Sequence, residues 1–234
     1  MLEKEVLTYS YTFRLKNGLQ KTFVVSVDNS TLNIIYKKNE SYPDWAKLQK
    51  FKCPHCELDP KVHEYCPLAI NLTDIIQTFQ DYNSFDEAEI TVETINRNYS
   101  KTTSVQSGVS SMLGIRMVTS GCPIMGKLKP LIPFHLPFAS LEETEVRVLS
   151  AYLLAQYVKW KKGGEPDWEM TNLVNIYGDI QILNHNVSKK IADLEKKDVS
   201  INSLIVLNNF ADYVTFTLDE KMLEDFEIHF KEFM

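Results

Sequence analysis

All four cysteines of this 234-residue chain fall in two short segments, Cys53-Pro54-His55-Cys56 with Cys66-Pro67, and Gly121-Cys122-Pro123. The spacing is Cys-x2-Cys-x9-Cys-x55-Cys. A Cys-x-x-Cys turn points two sulfurs at one centre, a third on a short loop completes a face, and a remote fourth closes a tetrahedron or the last corner of a cubane. We read Cys53, Cys56, Cys66 and Cys122 as the ligands of one metal centre. Three of them precede proline, and apolar residues flank them (Leu68-Ala69-Ile70 and Ile124-Met125). That suits a sheltered four-iron (4Fe-4S) cluster slightly better than structural zinc. Zinc stays open, with His55 or His63 as a nitrogen donor in place of a thiolate. Against it, Glu57 stands where a zinc knuckle commonly has glycine. The plainer reading is open too: Cys66 and Cys122 as buried core thiols, Cys53 and Cys56 as a redox pair.

Such a centre, with every ligand supplied by the chain, points to a binding or redox-sensory module. The alternative is a metal- or iron-sulfur-dependent redox enzyme with His135 near the centre, since His135 follows Cys122 closely in a proline-rich stretch. A structural histidine is the bland counterpart. His185 and His229 lack acidic or cysteine neighbours at ligand spacing and read as surface residues. Glu142, Glu143 and Glu145 have no Glu-x-x-His beside them, so cap and dipole roles explain them better than a di-iron site. Nucleotide-binding loops, the Gly-x-Ser-x-Gly elbow and the His-Glu-x-x-His zinc motif do not occur. No catalytic residue is marked.

The stretches Cys53-Pro54-His55-Cys56-Glu57-Leu58-Asp59-Pro60, Cys66-Pro67-Leu68-Ala69-Ile70-Asn71-Leu72, Thr119-Ser120-Gly121-Cys122-Pro123 and Phe134-His135-Leu136-Pro137 resemble the motifs of an uncharacterised bacterial family, a domain of unknown function. The resemblance spans most of the chain, including Tyr152-Leu153-Leu154-Ala155-Gln156-Tyr157. It implies a bacterial cytosolic protein and brings no established activity.

The formal charge is −6 and the basic residues are scattered, which argues against nucleic acid as a partner. The first residues lack the pattern of a secretory signal, and no apolar run approaches the roughly 18 residues of a membrane span. A cytoplasmic location without membrane contact is expected. Thiols are reduced there, which favours metal over disulfides.

The elements that must position these residues change character along the chain. Tyr9, Tyr11, Phe13 and Leu15 alternate with polar residues, Asn17-Gly18 signals a type I′ hairpin turn, and Phe23 to Val27 and Leu32 to Tyr36 complete a three-stranded meander. Residues 89–95 and 99–103 add two strands to the same sheet. A short helix opens at Pro43, with Trp45 and Leu48 on its inner side. A helix over about 67–82 would place Cys66 at its N-terminus, where amides favour a thiolate. Residues 105–119 form a helix despite their serines, with Val109, Met112, Leu113 and Met117 inward, and Gly121 turns the chain to deliver Cys122. Residues 123–137, with four prolines, should be a non-regular connector.

Beyond it the pattern is helical. Ser140 and Glu143 form a capping box for a helix to about 162, with apolar residues on more than one face and so largely buried. Gly163-Gly164 breaks it, and Asp167 caps a helix to about 197. Its seam of Leu173, Ile176, Ile180, Leu183, Val187, Ile191 and Leu194 suits a bundle or a dimer. Further helices start at Ser200 and at a second capping box, Thr217 to Glu220, the last carrying Leu223, Phe226, Phe230 and Phe233. The fold class is α+β: an antiparallel β-sheet with short helices over residues 1–137, carrying the four-cysteine site, then an α-helical bundle over 138–234, packed as one unit. An unknown protein partner or a homodimer through the C-terminal helices follows from the seam.

Overall fold

The period-two alternation of the first strands builds a five-stranded antiparallel sheet in the computed structural model, which describes residues 6–36, 41–194, 196–216 and 226–234. The strands β1 (Val6–Leu15), β2 (Gln20–Asp28), β3 (Ile34–Ile35), β4 (Glu87–Thr94) and β5 (Asn98–Ser104) lie in the order β3-β2-β1-β4-β5. Tyr9, Tyr11, Phe13 and Leu15 share one buried face with Phe23, Val25, Val27, Ala88, Ile90 and Val92, as a two-residue side-chain period requires. The first hairpin is not the expected type I′ turn. Gly18 N–H closes the turn on Leu15 O at 2.9 Å, and Gly18 but not Asn17 has a positive φ (+83°). The extra residue makes this a longer loop whose left-handed position needs glycine. At the next turn, Asp28 Oδ1 accepts hydrogen bonds from the amides and hydroxyls of Ser30 and Thr31.

Helices α1 (Leu48–Phe51), α2 (Pro67–Ile70), α3 (Thr73–Phe79) and α4 (Val105–Thr119) complete the first half. The helix expected over 67–82 is interrupted at Asn71 and Leu72. Side chains take over backbone duties at the break: Asn71 Nδ2 donates to Pro67 O at 2.8 Å and Thr73 Oγ1 to Ile70 O at 2.9 Å. Helix α4 packs against β1, β2 and β4 on one side and against the C-terminal helix Val199–Phe216 and the 3-10 helix Met125–Phe134 on the other. Buried on two sides, it has no need of a single apolar stripe. Gly108 lets it approach the sheet: a Cβ there would meet Ile90 Cδ1 at 2.4 Å and Phe13 Cε1 at 2.7 Å.

The proline-rich connector is more regular than expected. Met125–Phe134 forms a 3-10 helix with Pro130 and Pro133 inside it, an uncommon length for that geometry. Tyr9 Oη donates to Ile132 O at 2.6 Å and fixes it to the sheet.

Helices α5 (Leu141–Lys161), α6 (Thr171–Ile191) and α7 (Val199–Phe216) form the second half. The Ser140–Glu143 capping box is present in both directions. The burial expected of α5 is not. Only Glu145, Val148, Leu149 and Gln156 are buried, whereas Leu154, Tyr157, Val158 and Trp160 face outward at 45–63 % exposure. A narrow stripe meets the body, and the other apolar face is left in solvent. Helix α6 begins after Met170, in the left-handed region (φ +54°), while Asp167 still accepts from the amides of Thr171 and Asn172. It ends at Ile191, short of the expected 197. The seam Leu173, Ile180, Leu183, Val187 and Ile191 is buried within the chain, α6 packing along α7. Of the two expectations for this seam, the bundle contact is the one present within the chain. The second capping box and Leu223 lie outside the described residues. No helix among those described is long and apolar enough to cross a membrane.

Candidate metal centre

Short-range contacts bring the two cysteine segments to one place. Leu48 N–H donates to Glu64 O and Cys66 N–H to Ala46 O, both at 2.9 Å, so the chain on either side of the first loop is tied together at its base. Cys56 N–H donates to Cys53 O at 3.1 Å, and Lys52 Nζ closes the loop on Leu58 O at 2.8 Å. Cys66 precedes Pro67 at the start of α2. The missing N–H of proline costs nothing at a first helical position.

The remote fourth thiol arrives through Gly121. Its φ of +93° is one that side-chain-bearing residues rarely adopt, and a Cβ there would lie 3.7 Å from Pro67 Cβ. The turn after α4 therefore stacks against the residue that follows Cys66. Ser120 Oγ accepts from Cys122 N–H at 3.2 Å, and Gly126 N–H donates to Cys122 O at 2.8 Å.

Cys53, Cys56, Cys66 and Cys122 all line one small pocket of about 10 Å³, walled by Phe51, Leu58, Leu68, Ile124, Leu183 and Val187. None is in a disulfide; Cys53, Cys66 and Cys122 are buried and Cys56 partly so. Helix α6 forms the lid. Beyond its two apolar side chains, Asn186 Nδ2 donates to Cys53 Sγ at 3.3 Å, and Asp179 O lies 2.9 Å from His55 Nε2.

Burial dominates the electrostatics. It raises the Cys53 thiol to about 11, with the neighbouring Cys122 pushing the same way and Asn186 opposing. It raises Cys66 to about 12, partly offset by the amides of Ala69 and Leu68. Cys122 is raised likewise, offset by the amides of Met125 and Ile124. The Cys66-Pro67 and Cys122-Pro123 turns thus each aim two amides at a sulfur, and Cys53 and Cys122 are within electrostatic reach of each other and of the other two thiols. Among the described residues, no three or more His, Cys, Asp and Glu side chains gather closely enough to hold a single ion.

A profile for a domain of unknown function, DUF6901, matches residues 7–231. The chain belongs to the DUF6901 family. No curated protein and no solved structure shows a significant match to it, so the chemistry of this family member rests on its own residues.

The histidines fall elsewhere. His63 is exposed, as are His185 and His229, and His55 turns Nε2 to α6 while its Nδ1 is buried without a hydrogen-bond partner. His135 does not line the cysteine pocket; it lines a larger cleft bounded by α4, α5, α6 and α7. The 3-10 helix between Cys122 and His135 carries the chain away, which spacing along a supposed loop did not reveal. What sequence reasoning missed was the lid. Asn186, Leu183 and Val187 sit on α6, and only the packing of that helix tells which of its neighbours meet the cysteines.

Proposed function

We propose that Cys53, Cys56, Cys66 and Cys122 hold an iron–sulfur cluster, and that the protein acts as a binding or redox-sensing module. The observation that carries this reading is that all four free thiols of the chain line one pocket. Burial keeps Cys53, Cys66 and Cys122 neutral unless something in the pocket stabilises thiolate, which a bound metal does outright. The amides facing Cys66 and Cys122, with Asn186 at Cys53, are the donors that tune a bound thiolate. Leu183 and Val187 on α6 exclude water. A cluster there would supply a one-electron redox response and sensitivity to oxygen.

Two observations bear on which metal. Among the described residues no three His, Cys, Asp or Glu donors gather to hold a single ion, and a tetrahedral zinc would need the sulfurs to close to about 3.8 Å, given Zn–S bonds of about 2.3 Å. The pocket volume, about 10 Å³, favours zinc instead, being near the space of a single water. Rotation of the cysteine side chains changes both the sulfur spacing and a volume this small, so the three Cys-Pro steps and their apolar flanks keep the cluster first. Structural zinc is the second reading.

Anaerobic purification with iron, zinc and acid-labile sulfide analysis and a visible spectrum decides. Iron and sulfide in near-equal amounts, with a broad band that bleaches on reduction, support the cluster; stoichiometric zinc without colour supports the second reading. A protein free of both metals sinks the four-cysteine centre. Cys122→Ser should lower metal content sharply, because it removes the only ligand from the second segment.

A further inference from the structure

The cleft that contains His135 is built as a ligand site. Its volume is about 840 Å³, in the range of roughly 300–1,000 Å³ that holds small organic molecules. The serines that seemed out of place in α4 line it, Ser107, Ser110 and Ser111 among them, while Leu131, Ile132, Val148, Leu207 and Phe210 make an apolar wall.

Two buried polar atoms on the wall lack a hydrogen-bond partner. Arg147 on α5 has Nε buried without a hydrogen-bond partner, and its Nη1 donates to Phe134 O at 3.3 Å. No carboxylate pairs with it among the described residues. The titratable groups that bear on it are the phenols of Tyr177, Tyr11 and Tyr9, which burial keeps neutral. Asn184 on α6, 2 % exposed, has its side-chain oxygen unpaired as well. Both residues line the cleft. Beside them, His135 Nε2 lies 2.7 Å and Ser111 Oγ 3.0 Å from Tyr11 Oη. The two other charged residues on the wall are peripheral: Glu143 is engaged by the Ser140 amide, and Lys101 sits on the exposed β5.

A part-buried guanidinium without a counter-ion is costly unless an anion joins it. One guanidinium matches one negative charge, and its planar fork matches a carboxylate. We propose that this cleft binds an apolar monocarboxylate, its head group on Arg147 and its body against the leucine, isoleucine and phenylalanine wall. A phosphate monoester, with close to two charges, would need a second cation that the cleft does not place near Arg147.

Titration calorimetry of the full chain with octanoate, 1-octanol and octyl phosphate tests this. Octanoate should bind about tenfold or more tighter than octanol, the scale of one charge-assisted contact. Arg147→Gln should erase that preference while leaving octanol binding unchanged, and Arg147→Lys should keep part of it. No octanoate binding, equal affinity for the alcohol, an unaffected Arg147→Gln variant, or tighter binding of octyl phosphate would each overturn the proposal. If Arg147→Gln does not fold, judged by circular dichroism, the ligand comparison on the unmodified chain decides alone.

Discussion

His135 has an imidazole that folding keeps from protonating. Burial, with Arg147 adding repulsion, lowers its pKa from 6.5 to about 3, and the rings of Tyr9 and Tyr11 pack against it. Between those two values the unfolded chain binds a proton that the folded chain refuses, so stability falls as pH drops below about 6.5. Urea midpoints at pH 7, 5 and 4 should therefore decline, and His135→Gln should flatten that decline; an unchanged slope in the variant would refute the assignment. At this scale the meeting of the four cysteines at one pocket was legible from the Cys-x-x-Cys turn and from Gly121 before Cys122. Arg147 and Asn184 were not. An arginine among glutamates on a helix reads as a solvated charge, and only the assembly of α4, α5 and α6 shows it facing a cleft with no carboxylate paired to it among the described residues.

Among the elements, α4 makes the closest approach and gives the sharpest test. Gly108→Ala gains helix propensity of about 1 kcal/mol but forces a methyl against Phe13 and Ile90, both fully buried. Overpacking of that kind costs about 1–3 kcal/mol, so the variant should lose stability in urea unfolding. Gly178→Ala in α6 is the contrast: nothing lies within 4 Å of the added Cβ, and the substitution should stabilise by up to about 1 kcal/mol. Equal effects at the two positions would show that α4 is not pressed on the sheet as described. Strands and helices were legible here from their periods, and α4 was placed at its observed bounds. The exposed flank of α5 was not legible, since apolar spacing tells which residues share a face but not which face finds a neighbour. The 3-10 helix of Met125–Phe134 escaped for a related reason, proline being compatible with both a tight helix and an open loop.

In the whole molecule the sheet, α4 and the C-terminal helices share one apolar core. Asp198, just before α7, accepts from Ser84 N–H at 2.7 Å and Ser84 Oγ at 3.0 Å, tying the helical half to the approach of β4. The order of halves was readable from strands in runs before helices in runs, whereas their joint core came from a helix, α4, buried on both sides. The strand order has a consequence for how the chain reaches this state. Central β1 pairs on one edge with β2, its neighbour in sequence, and on the other with β4, Tyr9 opposite Thr94 and Leu15 opposite Ala88. During synthesis the hairpin forms at once, but the second edge of β1 must wait for β4 and, between them, for the whole cysteine loop. Until then the middle of the future sheet is an open edge with an apolar face, the template on which another nascent copy can add a strand. Refolding should accordingly be slow, on the order of milliseconds to seconds, and its yield should fall as protein concentration rises.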